Sequence, residues 1–364
     1  MREVPLSRLD LQAPERAASS PLVTVILVTW NGEKFLRAHL PSLLGIDYPA
    51  FEVIVVDNGS TDGSVTFLRT TYPAVRVIVN PTNLGTAEGS NVAIPRARGR
   101  YIFWVSNDME FDRDILKHLV RRCEADEGIG ICTVKMLRIK DGKPVQEIDS
   151  VGANADVFGF PDSRGINQTD RGQFDEFREV FFSFGGAMFI RKSVLEITGG
   201  FDPDYLTLAD DIDLSWRVRL AGFKVKVEPK AFLYHRVSAT LSKSHNRPQK
   251  RCLSERNTLR TLLKNYSAGY LSFILPLYAL ILGGEMLFFA LLGKWEMSRA
   301  GWRALFWNIS HLGATLEMRR KAQKPRRVPD RAIVAMMLKR SEKLRLLWDF
   351  IFRRGLGDWD SYFS

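Results

Sequence analysis

The sequence predicts an α/β fold built on a mainly parallel sheet flanked by helices, with a helical tail of different chemistry behind it. Three observations carry this. Aliphatic runs without polar alternation recur between amphipathic stretches, several of those runs end in polar or acidic residues, and the charge balance changes sign near residue 242.

The first run, Leu22–Thr29, is β-branched and aliphatic until Thr29, as expected of a central strand covered on both faces. Asn31-Gly32 turns the chain into an amphipathic helix over Phe35–Leu44. Phe51–Val56 is a second strand ending in Asp57-Asn58-Gly59-Ser60, Val65–Thr70 is helical, and Val75–Val79 is a third strand. The loop Asn83-Leu84-Gly85 leads into a helix from Glu88 to Arg96, and Tyr101–Val105 is a fourth strand ending at Ser106-Asn107-Asp108. Short strand–helix alternation marks parallel βαβ units, whose ligands bind beyond the carboxyl ends of the strands. Thr29, Asp57 and Asp108 fall at such ends, so they are expected to meet on one rim.

A helix over Asp112–Ala125 and a strand over Ile129–Leu137 follow. Gly152–Glu179, rich in Gly, Asp and Arg, reads as a long surface loop, which is uncommon in a compact domain unless it shapes a site. Phe181–Ile190 is apolar around Gly185-Gly186, and Ser193–Thr198 is a short helix. Asp210-Asp211-Ile212-Asp213 opens a helix running to Ala221, where free amides and the dipole favour carboxylates. Phe223–Val227 and Ala231–His235 are expected as two closing strands.

From Lys243 onward there are 23 Lys/Arg and 9 Asp/Glu, against 29 and 32 before it, so the last third carries all of the net +11. Such asymmetry calls for an anionic partner. The neighbouring residues point to an anionic membrane surface and not to nucleic acid, because no nucleic-acid-binding module is recognisable. Ser267–Gly293 is about long enough to span a bilayer. Pro276, Gly283-Gly284 and Glu285 interrupt it, which predicts a re-entrant or interfacial hairpin, with a buried helix pair as the alternative. Trp302–Leu316 and Ile333–Phe352 mix Trp, Leu and Phe with Arg and Lys, as interfacial helices do. The three cysteines, Cys123, Cys132 and Cys252, lack metal-type spacing and are expected to be reduced, buried thiols of a cytosolic compartment. The first twenty residues lack an apolar core and read as a leader, not a signal peptide.

Taken singly, the polar motifs stay ambiguous. Asp57 to Asp62 reads equally well as a turn and helix cap, and His235 as a structural histidine. Asp108 at the mouth of a parallel sheet is a hard oxygen ligand of the kind that Mg²⁺ or Mn²⁺ takes together with substrate phosphates. Asp210 and Asp211 repel one another, which tends to raise one pKa, a useful property in a base.

Their order resolves the ambiguity. Val23 to Gly32, Val53 to Ser64, Asn83-Leu84-Gly85 with Gly89 and Asn91, and Gly185 to Arg191 followed by Gly199-Gly200-Phe201-Asp202 form one series. It continues through Asp210-Asp211-Ile212-Asp213-Leu214, Arg217, Ala221-Gly222-Phe223 and Tyr234-His235. Over roughly residues 22 to 240 the chain resembles the family 2 glycosyltransferases of the GT-A fold. Within them, the loop Asp149–Glu179 and the tail after Arg256-Asn257 are similar to bacterial rhamnosyltransferase-type enzymes, and galactofuranosyltransferases share much of the pattern.

The resemblance implies a Rossmann-like mainly parallel sheet over 21–242 as catalytic domain, a leader over 1–20, and a basic, apolar, membrane-associating helical region over 243–364. It implies donor contacts from Thr29, Asn31, Asp57, Asn83, Gly85 and Asp108, and a divalent metal, Mn²⁺ or Mg²⁺, on Asp108 and His235. Ser106 departs from the family's Asp-X-Asp motif at its first position, leaving Asp108 as the last. Asp211 matches the catalytic base, with Asp210 beside it. The reaction implied is inverting transfer, with rhamnose as the leading sugar, from a dTDP- or UDP-linked donor to a polyprenyl-diphosphate-linked glycan at the cytoplasmic face of the membrane. A processive synthase is not expected, since the sequence holds no Gln-X-X-Arg-Trp motif. The alternatives are a galactofuranosyl or other hexosyl transferase and a non-catalytic nucleotide-sugar or glycan-binding protein.

Overall fold

The computed structural model describes residues 20–236, 246–349 and 352. The leader expected over 1–20, apart from Ser20, and the boundary expected at 242/243 lie outside the described residues.

Four parallel strands form one half of a mixed sheet: β1 (Val23–Thr29), β2 (Phe51–Asp57), β3 (Arg76–Val79) and β4 (Tyr101–Ser106), in the order β3-β2-β1-β4. Helices α1 (Glu33–Leu44), α2 (Ser64–Thr71) and α3 (Gly85–Ala93) connect them. After β4 come a short β5 (Met109–Phe111), α4 (Ile115–Ala125), and the hairpin of β6 (Ile129–Lys140) and β7 (Lys143–Val151). The expected loop over Gly152–Glu179 contains β8 (Ala153–Ala155), β9 (Pro161–Ser163) and β10 (Arg178–Glu179). Then follow β11 (Ala187–Arg191), α5 (Lys192–Thr198), α6 (Asp210–Leu220) and β12 (Lys224–His235). β11 runs antiparallel between β4 and β6, and β12 lies parallel to β6, so the sheet is less uniformly parallel than the sequence implies.

The two strands expected over Phe223–His235 are one, β12, with a register shift between Glu228 and Phe232 against β6. That irregularity falls on Pro229-Lys230, and a proline that cannot donate to the ladder belongs at a bulge. It looks like a strand end in sequence.

Each face of the sheet has its own core. Leu36, Leu40 and Leu43 of α1, with Leu116 and Leu119 of α4, cover one side. Ala87 of α3, Val194 and Leu195 of α5, and Leu214 and Val218 of α6 cover the other. The opposite side of α6, with Trp216 and Leu220, starts a third cluster that reaches into the C-terminal region.

That region holds α7 (Arg247–Asn265), α8 (Ala268–Leu291), α9 (Trp295–Ser310), α10 (Leu312–Gln323), α11 (Asp330–Ala335) and α12 (Glu342–Asp349). No hairpin forms: α8 is one continuous helix through Pro276 and Gly283-Gly284. Leu259 and Leu262 of α7, and Tyr266 just past its end, pack with Trp216, so α7 shares a core with the sheet domain.

An ionic network sits inside this junction. Asp202 accepts from Arg260 Nε at 2.9 Å and Lys264 Nζ at 2.6 Å, and Lys264 also reaches Asp213 Oδ2 at 2.9 Å. Asp213 takes two further donors, Arg217 Nε at 2.9 Å and Asn265 Nδ2 at 3.0 Å. The side chains of Asp202, Asp213, Arg260 and Lys264 have no solvent exposure. Burial alone would raise the Asp202 pKa, but the Lys264 and Arg260 charges outweigh it and hold the carboxyl far below the ordinary range. The cysteines are unpaired, Cys123 and Cys132 buried and Cys252 only half-buried.

Candidate active site

Parallel pairing brings the strand ends together. Thr29 and Asp57 are register partners at the ends of β1 and β2, and Asn107, just past β4, donates to Thr29 Oγ1 at 2.8 Å. Asp57 is fully buried: one carboxylate oxygen accepts from the Ser60 N–H at 2.9 Å, and Oδ1 has no partner among the described residues. Asn31, in the left-handed region at φ 47°, accepts from the Thr61 N–H at 2.8 Å, while its own N–H donates to Ser60 Oγ at 2.8 Å. The β1 and β2 loops are thereby tied into one wall. An open cleft of about 580 Å³ borders Asn31 and is lined also by Lys34, Arg37 and Asp62.

Asn83 Oδ1 accepts from the Gly85 N–H at 2.9 Å, and the Gly85 carbonyl accepts from Asn58 Nδ2 at 2.8 Å. Gly85 has φ +78°, and a Cβ there would lie 2.5 Å from the Leu206 carbonyl oxygen. Both facts require glycine, and they place the Asn83–Gly85 loop against the segment that precedes α6.

Asp108 is 6% exposed, and its Oδ1 has no hydrogen-bond partner among the described residues. His235 Nε2 stands 3.6 Å from that oxygen, while Nδ1 is 2.9 Å from Asp149 Oδ2. Asp149 fixes the ring as second-sphere carboxylates fix ligating histidines, leaving Nε2 facing Asp108. Burial pushes the Asp108 carboxyl up, with the His235 charge opposing it. Burial would lower His235, but the hydrogen bond to Asp149 and the charge of Asp108 outweigh it, and its pKa rises. Two carboxylates around one imidazole, one with an orphaned oxygen, favour added positive charge at this point. Among the described residues no third His, Cys, Asp or Glu completes a metal cage. One carboxylate and one imidazole with open positions still fit a divalent ion that takes its other ligands from a diphosphate. His39, also buried, lies 3.4 Å from Glu110 on the same side of the molecule, and neither of its ring nitrogens has a hydrogen-bond partner among the described residues.

The second carboxylate centre is reached through Gly185-Gly186. The Gly186 carbonyl accepts from the Ser106 N–H at 3.2 Å, and the Gly185 N–H donates to Asp211 Oδ2 at 3.0 Å. A Cβ at Gly186 would stand 2.7 Å from Ser106 Oγ, so glycine at 186 lets the segment approach the β4 end closely, whereas a Cβ at Gly185 would make only ordinary contact with Asp211 at 3.4 Å. Asp211 Oδ1 also accepts from the Ile212 N–H at 2.8 Å. Asp211 keeps partial solvent access, whereas Asp210 is buried. Burial first and the neighbouring Asp211 charge second push Asp210 up to about 8, and burial raises Asp211 as well. The pair therefore holds one proton near neutrality. Of the two, Asp211 is better placed to carry the charge, with two N–H donors and water access.

The chain enters α6 through a strained turn. Leu206, Leu208 and Ala209 all have positive φ (60°, 68° and 61°), and the Thr207 N–H bonds back to the Tyr205 carbonyl at 2.6 Å. Such non-glycine conformations cost about 1–3 kcal/mol each and persist only where their surroundings over-determine them. Here the restraint is Asn257 of α7, whose Nδ2 reaches the carbonyls of Tyr205, Thr207 and Leu208 at 3.0, 2.8 and 2.8 Å. Arg256 adds contacts to the Asp204 and Tyr205 carbonyls at 2.8 and 3.2 Å. Asn257→Ala is expected to lower kcat at least about tenfold through displacement of Asp211, as read by single-turnover kinetics at saturating donor. A kcat equal to the wild type's would refute this positioning role.

Sequence reasoning missed Asp149, Asn107 and Asn257. Asn107 sat inside the Ser106–Asp108 motif, where its neighbour drew attention. Asp149 and Asn257 carried no local signal, since each acts across a gap of many residues.

Residues 24–198 match the family model described as Glycosyl transferase family 2, and residues 165–318 match Glycosyl transferase family group 2. An uncharacterized protein of Sinorhizobium fredii is 30% identical over 248 residues, which is 64% of this chain and 26% of that protein. A poly-beta-1,6-N-acetyl-D-glucosamine synthase of Staphylococcus epidermidis is 23% identical over 247 residues, 66% of this chain and 56% of the relative. The chain thus spans about a quarter of the first relative and about half of the second. Among solved structures, GalNAc-T7 with UDP, GalNAc and Mn²⁺ superposes with a TM-score of 0.55 at 15% identity, covering 70% of this chain and 49% of that one. That likeness is one of fold.

Proposed function

We propose that this chain, which belongs to the family 2 glycosyltransferases and has their GT-A fold, transfers a sugar with inversion from a nucleotide-diphosphate donor to an acceptor hydroxyl activated by Asp211. The observation that carries the reading is the pairing of two carboxylate centres, Asp108–His235 and Asp210–Asp211, across the two-residue Gly185-Gly186 bridge.

Departure of a nucleoside diphosphate leaves an oxocarbenium-like sugar and a growing negative charge on the diphosphate. Asp108 and His235 would hold a divalent ion, Mn²⁺ or Mg²⁺, which when bound supplies a positive charge to offset that growth. Thr29, Asn31 and Asp57 form the wall for the nucleoside, with Asn83 and Gly85 as its lower edge. Asp211, held by the Gly185 N–H, takes the acceptor proton as the hydroxyl attacks C1. One displacement with a base and no enzymic nucleophile inverts the anomeric centre. A binding protein of the same fold would have no use for a raised carboxylate pair beside its donor site.

For the sugar, rhamnose from a dTDP- or UDP-linked donor is the first choice, supported by the likeness of the Asp149–Glu179 loop and the tail to rhamnosyltransferase-type sequences. Galactofuranose and other hexoses come next. Nucleotide-linked N-acetylglucosamine joins that panel because of the product named in the Staphylococcus relative. A polyprenyl-diphosphate-linked glycan at the cytoplasmic membrane face is the proposed acceptor, supported by the basic, apolar last third.

Thermal shift across that panel, with Mn²⁺, Mg²⁺ or chelator, tests the donor. Asp108→Ala is expected to abolish the metal-dependent part of donor affinity while leaving metal-free binding intact, as measured by titration calorimetry. Equal metal enhancement in wild type and variant would defeat the assignment of Asp108.

A further inference from the structure

Helix α8 has two different faces along its whole length. Ile274, Tyr278, Leu282, Glu285, Met286 and Phe289 are buried against the protein. On the opposite side Phe273, Leu277, Leu280, Leu287 and Leu291 are 51–78% exposed. Helix α9 extends the apolar surface with Trp295, Trp302, Phe306 and Ile309, exposed by 48–61%, and sets the exposed Arg299 and Arg303 among them. A soluble monomer rarely leaves so continuous an apolar surface open to water. Arginine interleaved with tryptophan and leucine suits the boundary between headgroups and acyl chains.

Length and composition would let α8 cross a bilayer, with a mean hydropathy of 2.0 over its best window. Its contacts argue otherwise. The carboxylate of Glu285 points inward, with Arg251 Nη2 at 2.7 Å and Lys343 Nζ at 2.6 Å. Tyr278 donates to Glu255 of α7 at 2.8 Å. Helix α7 carries Arg247, Lys250, Arg251, Arg256, Arg260 and Lys264 and shares a core with the catalytic sheet, so it cannot enter hydrocarbon. A spanning α8 would have to leave these partners and strand three buried charges.

We propose that α8 and α9 lie flat in one leaflet of an anionic bilayer, outer face down, with the catalytic domain kept in water above it. The excess positive charge after residue 242 complements such a lipid surface. The proposal does not depend on the transfer chemistry, and its test reads no activity, so either can fail alone.

The full chain is floated with vesicles of phosphatidylcholine containing roughly a third phosphatidylglycerol, and with phosphatidylcholine alone. It is expected to float with the anionic vesicles, and less so at high salt or on the neutral ones. Leu280→Glu combined with Leu287→Glu is expected to lower the bound fraction at least about tenfold, consistent with loss of two buried leucines. Both sites are exposed, so the melting temperature should hold. A wild-type chain that stays at the bottom of the gradient, a chain that sediments as a dimer without floating, or a double variant that binds as before overturns the surface. Orientation is read with a fluorophore on Leu280→Cys or Leu291→Cys, each in a Cys252→Ser background, quenched by spin-labelled lipids. A flat helix puts both labels at one shallow depth. Eleven residues at 1.5 Å would separate them by about 16 Å in a spanning helix, and that result overturns the flat orientation.

Discussion

Asp211→Asn is expected to lower turnover by about 10²–10⁴-fold while donor affinity stays near wild type. The asparagine keeps the size of the side chain and can still accept from the Gly185 N–H, but its amide nitrogen cannot accept from the Ile212 N–H, so the change removes basicity and one hydrogen bond. Asp210→Asn is expected to behave differently. With its pKa pushed up to about 8 by burial and by the Asp211 charge, Asp210 carries a proton at neutral pH, and a neutral amide imitates that state. It should retain more than about a tenth of the activity. As the proposed base, Asp211 would work ionised, and burial raises its pKa, so kcat should fall as pH drops through a range above that of an ordinary carboxylate. Measuring kcat against pH for the wild type and both variants decides the assignment. A fully active Asp211→Asn, or an Asp210→Asn as inactive as Asp211→Asn, would contradict it.

Asp202→Ala is the substitution with the largest expected effect on stability, about 3–5 kcal/mol. It would leave Arg260 and Lys264, both fully buried, facing a missing carboxylate. Asp202 also accepts from the Asp204 N–H at 3.2 Å and so begins the turn that leads to Asp210 and Asp211. Urea unfolding should show the loss as a lower midpoint at unchanged slope. The pH dependence has a definite sign. The folded-state pKa of Asp202 is depressed, so its contribution is present above the unfolded carboxylate value of about 4 and is lost as pH falls below it. Stability of the wild type should therefore drop more steeply below about pH 4 than that of Asp202→Ala. A loss under about 1 kcal/mol would mean that the network does not hold α7 to the sheet domain.

How much of this was legible in the sequence depended on whether the cause was local. The runs Leu22–Thr29, Phe51–Val56 and Tyr101–Val105 announced β1, β2 and β4 because strands buried on both faces must be continuously apolar. Their polar ends followed from the same rule, since the rim is where parallel strands meet ligand. The antiparallel β11 was legible as apolar but not in direction, because direction is set by partners and not by composition. Pro229 made one strand look like two. Pro276 and Gly283-Gly284 made one helix look like a hairpin, although a long helix with an anchored face absorbs such residues.

The sequence by itself determined the family, the α/β class and the basic, apolar last third, and it singled out Asp108 and Asp210-Asp211 as the proposed centres, because each is written in residue type and order. Only the tertiary structure decided that Asp149 orients His235, that Asn257 restrains the turn before Asp210, and that Glu285 faces inward to Arg251 and Lys343. The physical reason is common to all three. A hydrogen bond or ion pair between residues far apart in the chain leaves no periodic trace in either segment, and it exists only once packing has brought the two together.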